Sequence, residues 1–402
     1  MKNEKKYKIL LTGGGTGGSV APLLAVAEEL KIPLTLRLGE PSARRAFVKG
    51  GNNPPAPLYK GGNAGFEFFW LGTKFGPERE MVERAGIKFK AISGGKWRRY
   101  FSLKNLADIF KIKLGFWQAL RLMLAWRPNL VISAGSFVSV PVVWAAWLLG
   151  VPVLIHQQDI VPGLANRLMA PFAKTITVAF EKSLADYGKK AVWIGNPTRR
   201  SLERVTRNAQ RTTQFEFDKK FPIVLILGGG TGAESINKLV EKNLSELTKF
   251  CRILHITGKD KAVTRYALRV TRYESYEFLS AEQMAAAMKA ADLVVTRAGM
   301  STLGELSDLG KASIIIPMPD SHQEANADFF RSKKAAIVAR QKYLTPENFT
   351  HLVEDSLADK ENLTKLSANM ASAMKKEARE EMGKIIRDIL NLKGSGFPPA
   401  RE

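Results

Sequence analysis

The chain is 402 residues long, 45% apolar and 25% charged, which excludes a disordered or fibrous protein and sets an expectation of two or three domains. Its 61 Lys and Arg against 38 Asp and Glu leave a net charge of +23. This surplus favours an anionic partner (nucleic acid, acidic lipid headgroups or a phosphorylated substrate) without choosing among them. The single cysteine, Cys251, excludes an intrachain disulfide and a multi-cysteine metal site and points to a reducing compartment. The four histidines, His156, His255, His322 and His351, show no metal-ligand spacing.

In chain order, the apolar run YKILLT at 7–12 leads into GGGTGG and then a helical pattern over 20–30. The apolar stretch is too short for the core of a signal peptide. Residues 41–65 include GGNNPPAPLYKGGNAG, which has no helical or strand period, so a flexible surface insertion is expected. Residues 96–127 carry eight basic residues, Lys96, Arg98, Arg99, Lys104, Lys111, Lys113, Arg121 and Arg127, against the single acid Asp108. Among them are Trp97, Tyr100, Phe101, Phe110, Phe116, Trp117 and Trp126. Leu103, Leu106, Phe110, Leu114 and Trp117 form one helical stripe; Ile109, Ile112 and Phe116 lie on another. One stripe must pack on the domain, and the surplus one suits an anionic membrane surface. A buried helix with a solvated basic edge and a platform for single-stranded nucleic acid are the alternatives.

Residues 137–155 lack charge over a membrane-spanning length, but Pro141, Gly150 and Pro152 divide them into a buried helix and a buried strand. A soluble, cytoplasmic protein is therefore expected. Continuous runs rich in Val, Ile and Leu at 130–133, 153–156, 175–179, 252–257, 293–296 and 313–317 read as parallel strands covered on both faces. The opening pattern recurs at 221–227 (FPIVLIL), followed by GGGTGA and a helical pattern over 234–247. Two doubly wound α/β domains are expected, with a boundary in the polar segment 196–218 and a disordered tail at 393–402.

A glycine loop after a parallel strand places backbone N–H groups and a helix N-terminus around a phosphate. Neither loop has the lysine of a nucleotide-hydrolysing P-loop, and the acidic residue of a dinucleotide site is missing. In RAGMSTLGE (297–305), Gly299 makes the turn, Ser301 or Thr302 is the expected cap, and Glu305 follows inside the helix. Two readings of Glu305 fit equally: a carboxylate accepting hydrogen bonds from sugar hydroxyls, or a capping box with Thr302. Asp159 lies beyond the carboxyl end of a strand, where open α/β sheets bind ligands. His156, inside that strand, reads as a core histidine, and Arg199 is placed to reach an anion across an interdomain cleft.

The blocks GGGTGGSVAPLLAVAEEL, LVISAGSFVSVPVVWAAWLLGVPVLIHQQDIVPGLANRL, WIGNPTR, LILGGGTGA, HITGK and ADLVVTRAGMSTLGELSDLGKASIIIPMPDSHQEANA occur in this order. In them the chain resembles the family 28 glycosyltransferases of peptidoglycan synthesis over nearly its whole length. The resemblance implies a GT-B fold, two Rossmann-like doubly wound domains (1–199 and 200–392) with a cleft between them and the last helix returning to the N-terminal domain. It implies inverting transfer of GlcNAc from UDP-GlcNAc to the MurNAc 4-hydroxyl of undecaprenyl-pyrophosphoryl-MurNAc-pentapeptide (lipid I). No cofactor, no catalytic metal and no nucleic acid enter. The same resemblance implies peripheral attachment to the cytoplasmic face of the membrane, with 96–127 as the contact.

By resemblance, Thr16, Gly17 and Gly18 lie at the reaction centre near the acceptor diphosphate. Arg199 and Gly230 face the UDP, Met300, Ser301, Thr302, Leu303 and Gly304 wrap the nucleotide, and Glu305 holds the ribose. His322 and Gln323 lie at the GlcNAc, and Leu279 makes an apolar contact beside the uracil. Three departures stand out: Ser19 replaces the family histidine that is the usual candidate base, HEQN becomes His156-Gln157-Gln158-Asp159, and GGSQGA becomes GGGTGA. Asp159 is the substitute base this pattern suggests. Rival readings are a UDP-sugar-binding homologue without catalysis and a transferase of the same fold with a different lipid acceptor.

Overall fold

The computed structural model describes residues 6–15, 17–31, 65–95, 103–199, 220–229, 232–261 and 271–392. The expected insertion (apart from Gly65), the expected tail, Thr16 and Gly230 lie outside them.

Strands β1 (Tyr7–Thr12), β2 (Phe66–Gly72), β3 (Lys88–Ala91), β4 (Leu130–Ser133), β5 (Val153–Gln157), β6 (Thr175–Val178) and β7 (Ala191–Trp193) form a parallel 7-stranded sheet in the order β3-β2-β1-β4-β5-β6-β7. Strands β8 (Ile223–Leu227), β9 (Arg252–Ile256), β10 (Tyr273–Tyr276), β11 (Leu293–Thr296), β12 (Ser313–Ile315) and β13 (Ile337–Val338) form a parallel 6-stranded sheet in the order β10-β9-β8-β11-β12-β13. In both orders the chain winds first to one side and then to the other. The gaps between β1 and β4 and between β8 and β11 are therefore switch points where such sheets bind ligands. The central strands are largely apolar because helices cover both faces, and β4 and β11 are buried along their whole length.

The helices around the first sheet are α1 (Ala21–Leu30), α2 (Glu78–Arg84), α3 (Leu103–Trp126), α4 (Ser139–Leu148) and α5 (Leu164–Met169). Around the second are α6 (Glu234–Lys242), α7 (Leu244–Phe250), α8 (Ala281–Ala290), α9 (Met300–Leu309), α10 (His322–Ser332), α11 (Pro346–Ala358) and α12 (Lys360–Ser372). The last helix, α13 (Ala378–Ile389), buries Met382 and Ile386 against Leu23 and Val26 of α1. Arg379 and Glu29, both almost fully buried, pair across that contact at 3.2 Å.

One expectation is corrected. The helical pattern over 234–247 is broken at Asn243, whose side chain donates to the Leu239 carbonyl at 2.7 Å, so two helices replace one. Strands β2, β3, β10 and β13 formed no expectation: β3, β10 and β13 are edge strands, where KFKA and YESY alternate with polar residues and β13 has two residues, whereas β2 (FEFFWLG) is a central strand interrupted by Glu67. An edge strand half in water lacks the continuous apolar run that marks a central one. The uncharged stretch 137–155 divides into α4 and β5, and among the described residues no helix is long and apolar enough to cross a membrane.

Candidate active site between the two sheets

The first glycine loop follows β1. The Gly13 carbonyl accepts the Trp70 indole N–H at 3.0 Å, and Glu78, 0% exposed, accepts the backbone N–H of Gly15 at 3.2 Å and of Thr73 at 2.8 Å. The Thr73 hydroxyl donates to the same carboxylate. A Cβ on Gly14 would stand 2.4 Å from Glu78 Oε1, so only glycine lets the carboxylate in. Gly17, Gly18 and Ser19 form a 3-10 turn into α1, with the Ser19 hydroxyl buried and 3.5 Å from the Gly14 carbonyl.

Opposite this turn, α9 starts immediately after β11 and Gly299. Its N-cap is Gly299 with no side-chain cap, which corrects the expectation that Ser301 or Thr302 caps it and excludes the capping box for Glu305. Both side chains implicated are engaged elsewhere. The Ser301 hydroxyl donates to the Gly18 carbonyl at 3.1 Å, joining the two sheets' carboxyl ends, and Glu305 pairs with Arg199 at 3.0 Å. Burial pushes the Glu305 carboxyl above its ordinary range, and Arg199 pulls it back. Arg199 thus meets a carboxylate of this chain across the cleft. Met300 and Leu303 are buried with the second sheet's core, so only their backbones can line a ligand. Thr302 is partly buried.

The segment after β7 is held from both sides. Asn196 donates from Nδ2 to the Met300 carbonyl at 3.0 Å, which leaves its Oδ1 to accept from His156 Nε2 at 3.0 Å. His156 Nδ1 then accepts from the Thr177 hydroxyl at 3.0 Å. His156 is the core histidine expected: fully buried, with its pKa lowered to about 4 by that burial. Gly304 has the same logic as Gly14, because a Cβ there would meet Asn196 Nδ2 at 3.0 Å.

Beyond β5, Gln157 ties its own loop, donating to the Asp159 carbonyl at 2.6 Å and accepting from the Tyr187 hydroxyl at 3.1 Å. Asp159 faces α10. Its Oδ1 accepts from Asn326 Nδ2 at 2.8 Å and lies 3.8 Å from His322 Nε2, while Asn326 Oδ1 accepts the Ile160 N–H at 3.1 Å. Gln323 Oε1 accepts the Met318 N–H at 3.1 Å. Leu279 is only 4% exposed and packs in the core; the exposed side chain beside it is Phe278, whose ring meets Arg84 at 5.4 Å. Apolar burial claims the leucine and leaves the neighbouring ring outward.

Three side chains that formed no expectation organise the site: Glu78, Asn326 and Arg297. Arg297 was already the first residue of a singled-out block, and a charged residue directly after the apolar strand LVVT was its available signal. Glu78 and Asn326 gave none, since each acts through contacts distant in sequence.

Two parallel sheets with glycine loops at their switch points, met by a helix N-terminus and a buried carboxylate, are the two-lobed architecture of the GT-B type. Residues 63–178 match the glycosyltransferase family 28 N-terminal domain and residues 223–382 its C-terminal domain. The chain is 38% identical over 346 residues to the UDP-N-acetylglucosamine--N-acetylmuramyl-(pentapeptide) pyrophosphoryl-undecaprenol N-acetylglucosamine transferase of Clostridium kluyveri, covering 85% of this chain and 88% of that protein. The protein of the same name from Clostridium botulinum strain Kyoto is 36% identical over 347 residues, 85% of this chain and 88% of its own length. The crystal structure of Acinetobacter baumannii MurG matches with a TM-score of 0.66 and 25% identity, covering 95% of this chain and 99% of that one. The chain belongs to glycosyltransferase family 28.

Proposed function

We propose that the protein transfers GlcNAc from UDP-GlcNAc to the MurNAc 4-hydroxyl of lipid I, inverting the anomeric centre, in peptidoglycan synthesis. The observation that carries this reading is the Ser301–Gly18 contact, which brings the start of α9 onto the first glycine loop. A donor held along α9 and an acceptor held by the first sheet then meet at one point. The division into an acceptor half, 1–199, and a donor half, 200–392, follows the same logic.

In this reading Glu305 accepts the ribose hydroxyls, and Arg199, released from it, moves to the departing diphosphate. Gly230 and the backbone of Met300, Ser301, Thr302, Leu303 and Gly304 surround the nucleotide, with Leu279 contributing through its backbone. His322 and Gln323 contact the GlcNAc; Thr16, Gly17 and Gly18 line the acceptor side. The helix N-terminus and Arg199 supply positive potential where diphosphate charge develops. A serine hydroxyl is a poor base near neutral pH, so Asp159 takes the acceptor proton, a role worth roughly 10²–10⁴ in rate. The test of that assignment is Asp159→Asn, which is expected to lower kcat while leaving UDP affinity unchanged; full turnover would remove Asp159 from the mechanism.

The membrane side of the function rests on α3. Phe110, Leu114, Trp117 and Leu124 are each more than half exposed, with Lys111, Lys113 and Arg121 on the same helix. Trp147 and Leu148 of α4, packed against α3, add to that surface. Apolar side chains flanked by cations dock peripherally on an anionic leaflet. Transfer of labelled GlcNAc to a short-chain lipid I analogue tests the whole reading. UDP-GlcNAc binding without turnover on any lipid acceptor would instead indicate a homologue that has lost catalysis.

A further inference from the structure

Arg297 closes β11 and is 8% exposed, yet no carboxylate lies within ion-pairing distance among the described residues. Its guanidinium is surrounded by four neutral oxygens. Nη1 donates to the Ile316 carbonyl at 3.1 Å and the Pro317 carbonyl at 3.0 Å; Nη2 donates to the Ser235 hydroxyl at 2.6 Å and to Gln341 Oε1 at 2.7 Å. Burying a cation on neutral partners alone is costly, and an apolar side chain fills such a position more stably.

The four acceptors share one property. Ile316 and Pro317 begin the segment that delivers His322 and Gln323, Ser235 opens the helix after the second glycine loop, and Gln341 follows β13. Arg297 itself lies two residues before Gly299, where α9 is set. We propose that Arg297 is a positioning residue of the donor site, whose single planar fork fixes the start of α6, α9 and the 317–323 segment relative to one another. A lysine, as a point donor on a flexible stem, cannot span these four oxygens. This inference rests on the donor reading above. Misplacing site-forming backbone by about 1 Å is sufficient to cost roughly a hundredfold in function.

The test is calorimetric titration of the full chain with UDP, alongside KM values for UDP-GlcNAc and the lipid acceptor. Arg297→Lys is expected to weaken UDP binding roughly tenfold or more and to raise KM for UDP-GlcNAc but not for the acceptor. A merely structural role would lower the melting temperature and the active fraction and leave the Kd of the folded molecules unchanged; that result overturns the proposal. Should Arg297→Lys fail to fold, Gln341→Ala retains the arginine and removes one acceptor. It is then expected to weaken UDP binding severalfold, and an unchanged Kd overturns the proposal equally. Absence of UDP binding by the unsubstituted protein would overturn both this inference and the donor reading. Normal UDP binding by every variant would overturn this inference alone.

Discussion

Each sheet keeps one buried charge at its glycine-loop edge, and the two differ in sign: Glu78 beneath the loop after β1, Arg297 at the helix that follows the loop after β8. Glu78 occupies the Gly15 N–H, one of the amides that a phosphate at that loop would otherwise use. Arg297 donates toward the second loop and leaves a positive charge there without a counter-ion among the described residues. The two strand–glycine–helix units, nearly identical as sequence, are therefore unlike as sites. A buried positive charge favours an anion beside the second unit, whereas the first already commits one amide to its own carboxylate.

The largest test of this contrast uses acid. Each half buries one neutral histidine: His156 in the first sheet, and His255 in the second, the latter between Asn237 and the Tyr273 hydroxyl at 3.1 and 2.9 Å. Burial lowers both pKa values from 6.5 to about 4. Below about pH 6.5 the unfolded ring binds a proton that the folded ring refuses until about pH 4. The stabilisation is thus complete above 6.5 and is lost as pH falls through that window. At ~1.4 kcal/mol per unit, each ring accounts for on the order of 3 kcal/mol. Calorimetric melting between pH 7 and pH 4 is expected to show a steep decline, reduced by His156→Gln in one half and by His255→Gln in the other. A flat profile would refute the neutral assignment.

Next in size is Glu78 itself. Glu78→Ala takes the acceptor from the Gly15 and Thr73 backbone N–H groups, while the Thr73 hydroxyl keeps the Phe75 carbonyl at 3.3 Å, and is expected to cost roughly 2 kcal/mol or more, read as a lowered melting temperature. Glu78→Gln, which still accepts, should recover most of it. An alanine variant melting with the parent would show that something else anchors the loop. Glu305→Ala acts on the other half: losing hydrogen bonds to a carboxylate is worth about 1.5–3 kcal/mol, so KM for UDP-GlcNAc should rise roughly 10–100-fold with the acceptor KM unchanged. Equal rises in both would place Glu305 in the interdomain hinge instead of the donor site.

The continuous apolar runs and glycine loops made most of both sheets legible in sequence, because parallel central strands must be apolar and their turns must be tight. YKILLT and LVVT became β1 and β11 without a change of boundary. What stayed hidden were contacts made in three dimensions. Glu305 near a helix start is compatible with a capping box until Arg199, more than a hundred residues earlier, is seen to occupy it. Asn326 reads as one polar residue of an amphipathic helix until it is found holding Asp159 and the Ile160 amide. Leu279 and Phe278 could not be told apart because both are apolar, and only packing decides which one turns inward.

The smallest effect on stability should accompany the sharpest difference between the halves. Phe110, Leu114, Trp117 and Leu124 line up on one helix of the first half, whereas the exposed apolar residues described in the second, Phe278, Met318 and Tyr343, belong to separate segments. A ridge of this kind is a docking surface, while isolated exposed residues are ordinary. Trp117 is 60% exposed, so Trp117→Ser should change folding stability by no more than about 0.5 kcal/mol. With Leu114→Ser, it should abolish flotation with anionic liposomes and leave transfer to a water-soluble acceptor intact. Tyr343→Ser, at 65% exposure, removes a comparable ring from the second half and should leave flotation unchanged. Equal losses from both would mean that the net charge of +23, and not the α3 ridge, holds the protein to the membrane. Raising salt separates the two, since screening weakens a charge-only attachment and spares buried apolar contact.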